Sequence, residues 1–196
     1  MFDVAPATAD AAPSVSSTVS DPVGDTIFTN APAFQDIVIG QMTKTASGNF
    51  ELLMEMAGPV PVNPPLPPPG RSEINWVWNF DLDPTTFPSG YPYFKVAGAQ
   101  EFSVRVNWNG TEFTGAAIDR RPLLPWDPPV TGGGEAIITP VTFSINGKIL
   151  EADLPYALIG DVPPSFHWGP GTRDWSGPLG SNGNNAVDGA ETVFNP

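Results

Sequence analysis

The chain has 196 residues, including 25 Pro and 20 Gly, with 15% charged residues and a formal net charge of -13. That length suits one domain, and the Pro and Gly load argues against long helices. The 12 Phe, 6 Trp and 3 Tyr supply the bulk of a real core, which excludes global disorder. With 8 basic against 21 acidic residues and no basic stripe, neither nucleic acid nor an anionic membrane is an expected partner. No run approaches the roughly 18 to 20 apolar residues that insert across a bilayer. The absence of Cys removes disulfides, thiol nucleophiles and thiolate metal sites.

Residues 1 to 20 carry Ala, Pro, Ser, Thr, Val and Asp with little bulk. They read as a flexible segment, or as a strand donated to another molecule through Val15 to Val19, preceding a single domain over 21 to 196. From Asp36 the period is two, with a first strand expected over Ile37 to Thr43. Phe50, Leu52, Met54 and Met56 share one face while Glu51 and Glu55 take the other. Ile74, Trp76, Trp78, Phe80 and Leu82 alternate with Glu73, Asn75, Asn79 and Asp81, which predicts a strand wet on its polar side. Phe102, Val104, Val106 and Trp108 repeat the pattern.

Asn109-Gly110 and Asn146-Gly147 stand between alternating runs, the signal of type I′ hairpins. Further strands are expected over Glu135 to Thr139 and Pro164 to Trp168, and one helical turn near Leu154 to Ile159. The sum is an all-β, antiparallel two-sheet sandwich. Its long loops run over Gly58 to Ser72, Arg121 to Gly134 and Gly169 to Pro196. Long loops on a rigid sandwich are where binding usually resides.

Asp21-Pro22-Val23-Gly24-Asp25, then Phe34-Gln35-Asp36-Ile37, then Trp78-Asn79-Phe80-Asp81-Leu82-Asp83, and late Asp188-Gly189-Ala190-Glu191, follow one another in an order with a known counterpart. Over roughly residues 21 to 190 this resembles the family 9 carbohydrate-binding modules and the related DOMON-like sandwiches of secreted bacterial proteins. The resemblance implies a jelly-roll-like β-sandwich, a non-catalytic module and a structural calcium. Gln35 stands where that pattern commonly has proline.

Calcium takes about six to eight oxygens, and the chain offers Asp21, Asp25, Asp36, Asp81, Asp83, Asp188 and Glu191 with few lysines to pair them. Asp21 and Asp25 flank Gly24 in one tight loop, and with Asp188 they are the expected metal ligands. Trp126, Trp168 and Trp175 sit in Pro-, Gly- or Asp-rich contexts and are the expected aromatic platforms for a ligand, with His167 beside Trp168. Trp76 and Trp78 belong to the core. Arg120-Arg121 reads as internal ion pairing in so acidic a chain.

A single histidine and the absence of a Gly-x-Ser-x-Gly elbow leave little support for nucleophilic catalysis. Glu51, Glu55, Glu101, Glu112, Glu135 and Glu151 keep a small glycoside or ester hydrolase as the third reading. The first reading is a secreted or cell-surface module, its signal peptide removed, that binds polysaccharide or a similar extracellular ligand and carries calcium. The second is an assembly subunit of an extracellular layer or filament, self-associating through residues 1 to 20.

Overall fold

In the computed structural model, residues 14–27, 30–66, 72–82, 101–123, 136–175 and 184–195 are described. The alternating runs become strands: β1 (Val15–Ser20), β2 (Ile37–Lys44), β3 (Phe50–Met56), β4 (Glu73–Asp81), β5 (Phe102–Trp108) and β6 (Phe113–Asp119). After a 3-10 turn at Arg121–Leu123 come β7 (Ile137–Pro140), β8 (Phe143–Asn146), β9 (Ile149–Leu154) and the one-turn helix α1 (Tyr156–Ile159). The chain closes with β10 (Phe166–Trp175), β11 (Asn184–Gly189) and β12 (Thr192–Phe194).

The strands form two antiparallel sheets, one of five strands in the order β1-β2-β3-β9-β8, the other of seven in the order β11-β10-β4-β5-β6-β7 with β12 also on β10. The expected sandwich is therefore the observed architecture. Between the sheets, Phe50 from the first meets Phe80, Phe166 and Phe194 from the second edge-on, with ring centroids 6.0–6.2 Å apart. Edge-to-face geometry sets each ring's positive rim against a neighbour's negative face. Gly40 of β2 and Gly115 of β6 mark close approaches of the two layers, because a Cβ at either would lie 2.6 Å from a side-chain atom of the other sheet, Pro170 Cγ of β10 and Phe143 Cδ1 of β8.

Four local expectations are corrected. Val15–Ser20 is not a free tail here: it pairs with β2 of its own chain, Val15 opposite Lys44 and Ser20 opposite Ile39, so the sheet begins before residue 21. The stretch after Gly169 is not a long loop, since β10 runs on to Trp175 and β11 and β12 follow. Period-two hydrophobicity fails there because Gly169, Pro170 and Gly171 interrupt it, while the pairing partners lie far off in β4. The β5–β6 connection is a loop of Asn109 to Glu112, not a two-residue turn, with Asn109 Oδ1 accepting from the N–H groups of Thr111 and Glu112. In the β8–β9 hairpin Asn146 pairs with Ile149, so Gly147 and Lys148 form the turn. Gly147 alone has positive φ, at 61°, the arrangement of type II′.

Arg121 ties α1 to the seven-stranded sheet. Its guanidinium donates to Asp119 at 2.7 and 2.8 Å and to the Ile159 carbonyl at 2.7 Å, and it stacks over the Phe102 ring. Burial pushes the Asp119 carboxyl up, but the Arg121 guanidinium and backbone N–H outweigh it and hold that carboxyl below its ordinary range. Arg121 thus supplies internal ion pairing of the kind read from the sequence, while Arg120 donates from Nη1 to Ser103 Oγ at 3.0 Å.

Replacing Phe50, fully buried at the meeting point of the two sheets, tests the core. Phe50→Ala is expected to cost about 3–5 kcal/mol, read from the denaturant midpoint, and Phe50→Leu distinctly less.

Candidate metal centre and ligand surfaces

Asp21 follows β1 directly, and its N–H continues the β1–β2 ladder by donating to the Val38 carbonyl at 2.9 Å. The chain then turns through Gly24, whose φ of 86° is open to glycine alone at little cost, and its N–H donates to Asp36 Oδ2 at 2.9 Å. Ile27 N–H donates to the Val187 carbonyl, which lays this loop along β11 and brings it beside Asp188. Carboxylate oxygens of Asp21, Asp25 and Asp188 consequently lie within 4.8 Å of one another. These are the three residues expected from the sequence as metal ligands, converging from a loop and a strand more than 160 residues apart in the chain.

Asp188 is buried and anchored: its Oδ2 accepts from Ile37 N–H at 2.6 Å and its Oδ1 from Gly189 N–H at 2.9 Å. Asp21 is half-buried and Asp25 exposed, so the cluster opens to solvent on the Asp25 side. Asp36, 6% exposed, flanks the group, and its Oδ1 is buried without a hydrogen-bond partner, as is Asp21 Oδ2. Burial first, then the charges of Asp188, Asp25 and Asp36, push the Asp21 carboxyl up to about 7. Burial likewise raises Asp188, against the pull of the Ile37 and Gly189 N–H groups. Crowded carboxylate oxygens with unfilled acceptor capacity are the donor set that a hard cation takes.

The expected aromatic platforms fare differently. Trp168 is not in a loop: it lies within β10, is fully buried between the sheets, and donates from Nε1 to Ser17 Oγ of β1 at 3.0 Å. It is a core residue that fastens the edge strand, not a surface for stacking. Trp175 ends β10, opposite Glu73 of β4. Trp126 lies outside the described residues. His167 stands on the outer face of the seven-stranded sheet, opposite Asp81, with Nδ1 2.8 Å from Glu191 Oε1.

Two surfaces present polar groups. On the outer face of the five-stranded sheet a groove of about 350 Å³ is lined by Gln41, Thr43, Glu51, Leu53, Glu151 and Asp153 among others. Its hydrogen-bonding groups are partly engaged with each other, Ser144 with Glu151 at 2.9 Å and Thr142 with Asp153 at 3.1 Å. On the outer face of the seven-stranded sheet the sequence predicted water, and the structure corrects this. Asn75, Asn79, Asp81, Glu101, Ser103 and Arg173 are all buried, so β4 is enclosed on both faces. Alternation separates two faces but carries no information on what covers the second.

Within this polar face Asn75 is opposite Asn107 of β5 and Arg173 of β10, and Asn79 is opposite Ser103 and Gly169. Yet Asn75 Nδ2 and Oδ1, Asn79 Nδ2 and Asn107 Oδ1 are buried with no hydrogen-bond partner. Each such group costs about 1–3 kcal/mol relative to a satisfied one. The signal was present in the sequence as asparagines in a strand, where Asn is uncommon.

Comparison of the chain with protein-family models, with curated proteins and with solved structures finds no match in any of the three.

If Trp168 serves the core, Trp168→Phe removes the part-buried hydrogen bond to Ser17, leaves a cavity beside the smaller ring and destabilises by about 1–3 kcal/mol in chemical denaturation. Retention of the variant on any polysaccharide that holds the wild type is expected to be unchanged in affinity electrophoresis.

Proposed function

We propose that this chain is a secreted, calcium-stabilised and non-catalytic β-sandwich module that binds extracellular carbohydrate or a similar polyhydroxylated ligand. The observation that carries the reading is the convergence of Asp21, Asp25 and Asp188 within 4.8 Å. Like charges held that close in a partly buried site oppose folding, and a divalent cation reverses the sign of the interaction. In this reading Asp188 is the fixed ligand, Asp21 and Asp25 close on the ion from the loop, and water and backbone carbonyls complete the shell. The ion joins the β1–β2 connection to β11 and so fastens one sheet to the other.

The ligand half of the reading is supported by the architecture, in which a rigid two-sheet frame presents a grooved outer face on its five-stranded sheet. Trp168, buried in the core, does not stack on a ligand, which leaves Trp126 and Trp175 as the aromatic candidates of this reading. An acidic chain with Glu51, Glu151 and Asp153 lining its groove disfavours anionic ligands and leaves neutral glycans as the preferred class.

Calcium at about 100 times its Kd is expected to stabilise the protein by about 2.7 kcal/mol. For a domain of this size that raises Tm by about 5–10 °C in calorimetry, and chelator reverses it. Asp25→Ala, at an exposed position, folds but loses the calcium response; an equal Tm in calcium and chelator for the wild type counts against the metal site.

A further inference from the structure

Tyr156, 42% exposed, is the only exposed aromatic among the described side chains, and it is held in place from several sides. Its backbone N–H donates to Asn49 Oδ1 at 2.9 Å, and its hydroxyl donates to Asp161 Oδ1 at 2.6 Å. The ring lies on Gly48 of the β2–β3 turn, where a Cβ would stand 3.2 Å from ring Cδ2 and where the φ of 82° favours glycine. A ring fixed in this way before a ligand arrives loses little conformational freedom on binding.

The ring borders one end of the outer groove of the five-stranded sheet. Phe50 opposite Leu154 is the last pair of the β3–β9 register at that end. Asn49 comes just before Phe50 and Tyr156 two residues after Leu154, and the hydrogen bond between them closes the sheet there. One step inward Glu51 is opposite Asp153, both exposed and both lining the groove. Like charges directly opposite across a ladder destabilise a sheet, so stability does not account for this row. Asp153 accepts from the Thr142 hydroxyl, whereas the side chains of Glu51 and Gln41 make no hydrogen bond or ion pair among the described residues. At about 3.4 Å per residue, the Asn49–Tyr156 contact is about 7 Å along the strand from the carboxylate row.

The chemistry of these groups selects the class of ligand. Carboxylates only accept hydrogen bonds, and bonds to them are the stronger, charge-assisted kind; Gln41 and the groove hydroxyls both donate and accept. An aromatic face takes apolar C–H groups. A saccharide supplies both complements, C–H groups on its ring face and hydroxyls on its rim. No lysine or arginine lines the groove, so an anionic sugar finds no partner in it.

We infer that Tyr156 is a stacking platform and that Glu51 and Asp153 are the hydroxyl acceptors for a neutral oligosaccharide lying from that ring into the groove, an inference that rests on the binding-module reading.

The full chain with calcium is titrated calorimetrically with soluble cello-, xylo- and manno-oligosaccharides. An oligogalacturonate serves as the anionic comparison and a glucosamine oligomer as the cationic one, and the Tyr156 ring protons are followed by NMR. One neutral oligosaccharide is expected to bind and to shift those protons. Tyr156→Ala and Glu51→Ala then each weaken binding by about tenfold or more, and Tyr156→Phe, which keeps the ring, by less than about threefold. Val193→Ala, exposed on the other sheet, leaves binding unchanged. Neutral binding that persists in Tyr156→Ala, or that leaves the ring protons unmoved, overturns the platform and leaves the module reading intact. Neutral binding undiminished in Glu51→Ala overturns the acceptor role. Binding of the galacturonate or the glucosamine oligomer alone overturns the neutral class, and no saccharide bound by the wild type overturns the seat and the module reading together. Should Tyr156→Ala fail to fold, the wild-type ring shifts decide by themselves.

Discussion

Strand β4 is enclosed along both of its faces, and most of the architecture answers to that constraint. Inward, Ile74, Trp76, Trp78 and Phe80 fill the space between the sheets, with the indoles of Trp76 and Trp78 donating to the carbonyls of Phe34 and Leu53. Outward, Asn75, Val77, Asn79 and Asp81 are buried as well. A central strand so enclosed needs neighbours on both edges, supplied by β5 and by the ten-residue β10, whose register runs from His167 opposite Asp81 to Trp175 opposite Glu73. Because β10 is so long, it carries β11 and β12 with it and reaches the opposite sheet where Pro170 meets Gly40.

The aspartate cluster stands at the seam this arrangement creates. The segment between β1 and β2 crosses the open end of the sandwich, and polar side chains fasten it there. Gln35 donates to Asp174 Oδ1, Thr172 donates to the Gln35 carbonyl, and Asp188 accepts from Ile37 N–H. The glutamine that departs from the proline of the resembling families thus has a structural task, fully buried against β10. With the proposed cation the same seam gains a clamp in which the repulsion between carboxylates is offset, and the edge strand β1 is held at one end by it and in the middle by the Trp168–Ser17 hydrogen bond.

Much of this was legible in the residues. Period-two runs over Phe50–Met56, Glu73–Asp81 and Phe102–Trp108 identified strands and their inward faces, because a side chain's face in a strand depends only on its parity. The metal candidates were legible for a different reason: Asp21 and Asp25 flank a glycine, and a chain so short of lysine leaves its loop carboxylates unpaired. Illegible were β11 and β12, whose residues are polar or few and whose pairing depends on a strand elsewhere in the chain. Trp168 was misread as a platform because the strand was expected to end at it, with Gly169 opening a loop, whereas pairing with β4 carries β10 on to Trp175 and sets Trp168 inside it.

By itself the sequence determined fold class, the core face of each long strand and the chemistry available for a cation, since these follow from local alternation, composition and charge. Tertiary structure alone decided that Asp188 meets Asp21 and Asp25, that β1 pairs within its own chain, and that the asparagines of β4 are buried. Those outcomes depend on which strands are neighbours and on what covers the second face of a sheet. Both are set by contacts between residues far apart in the chain, which no local pattern encodes.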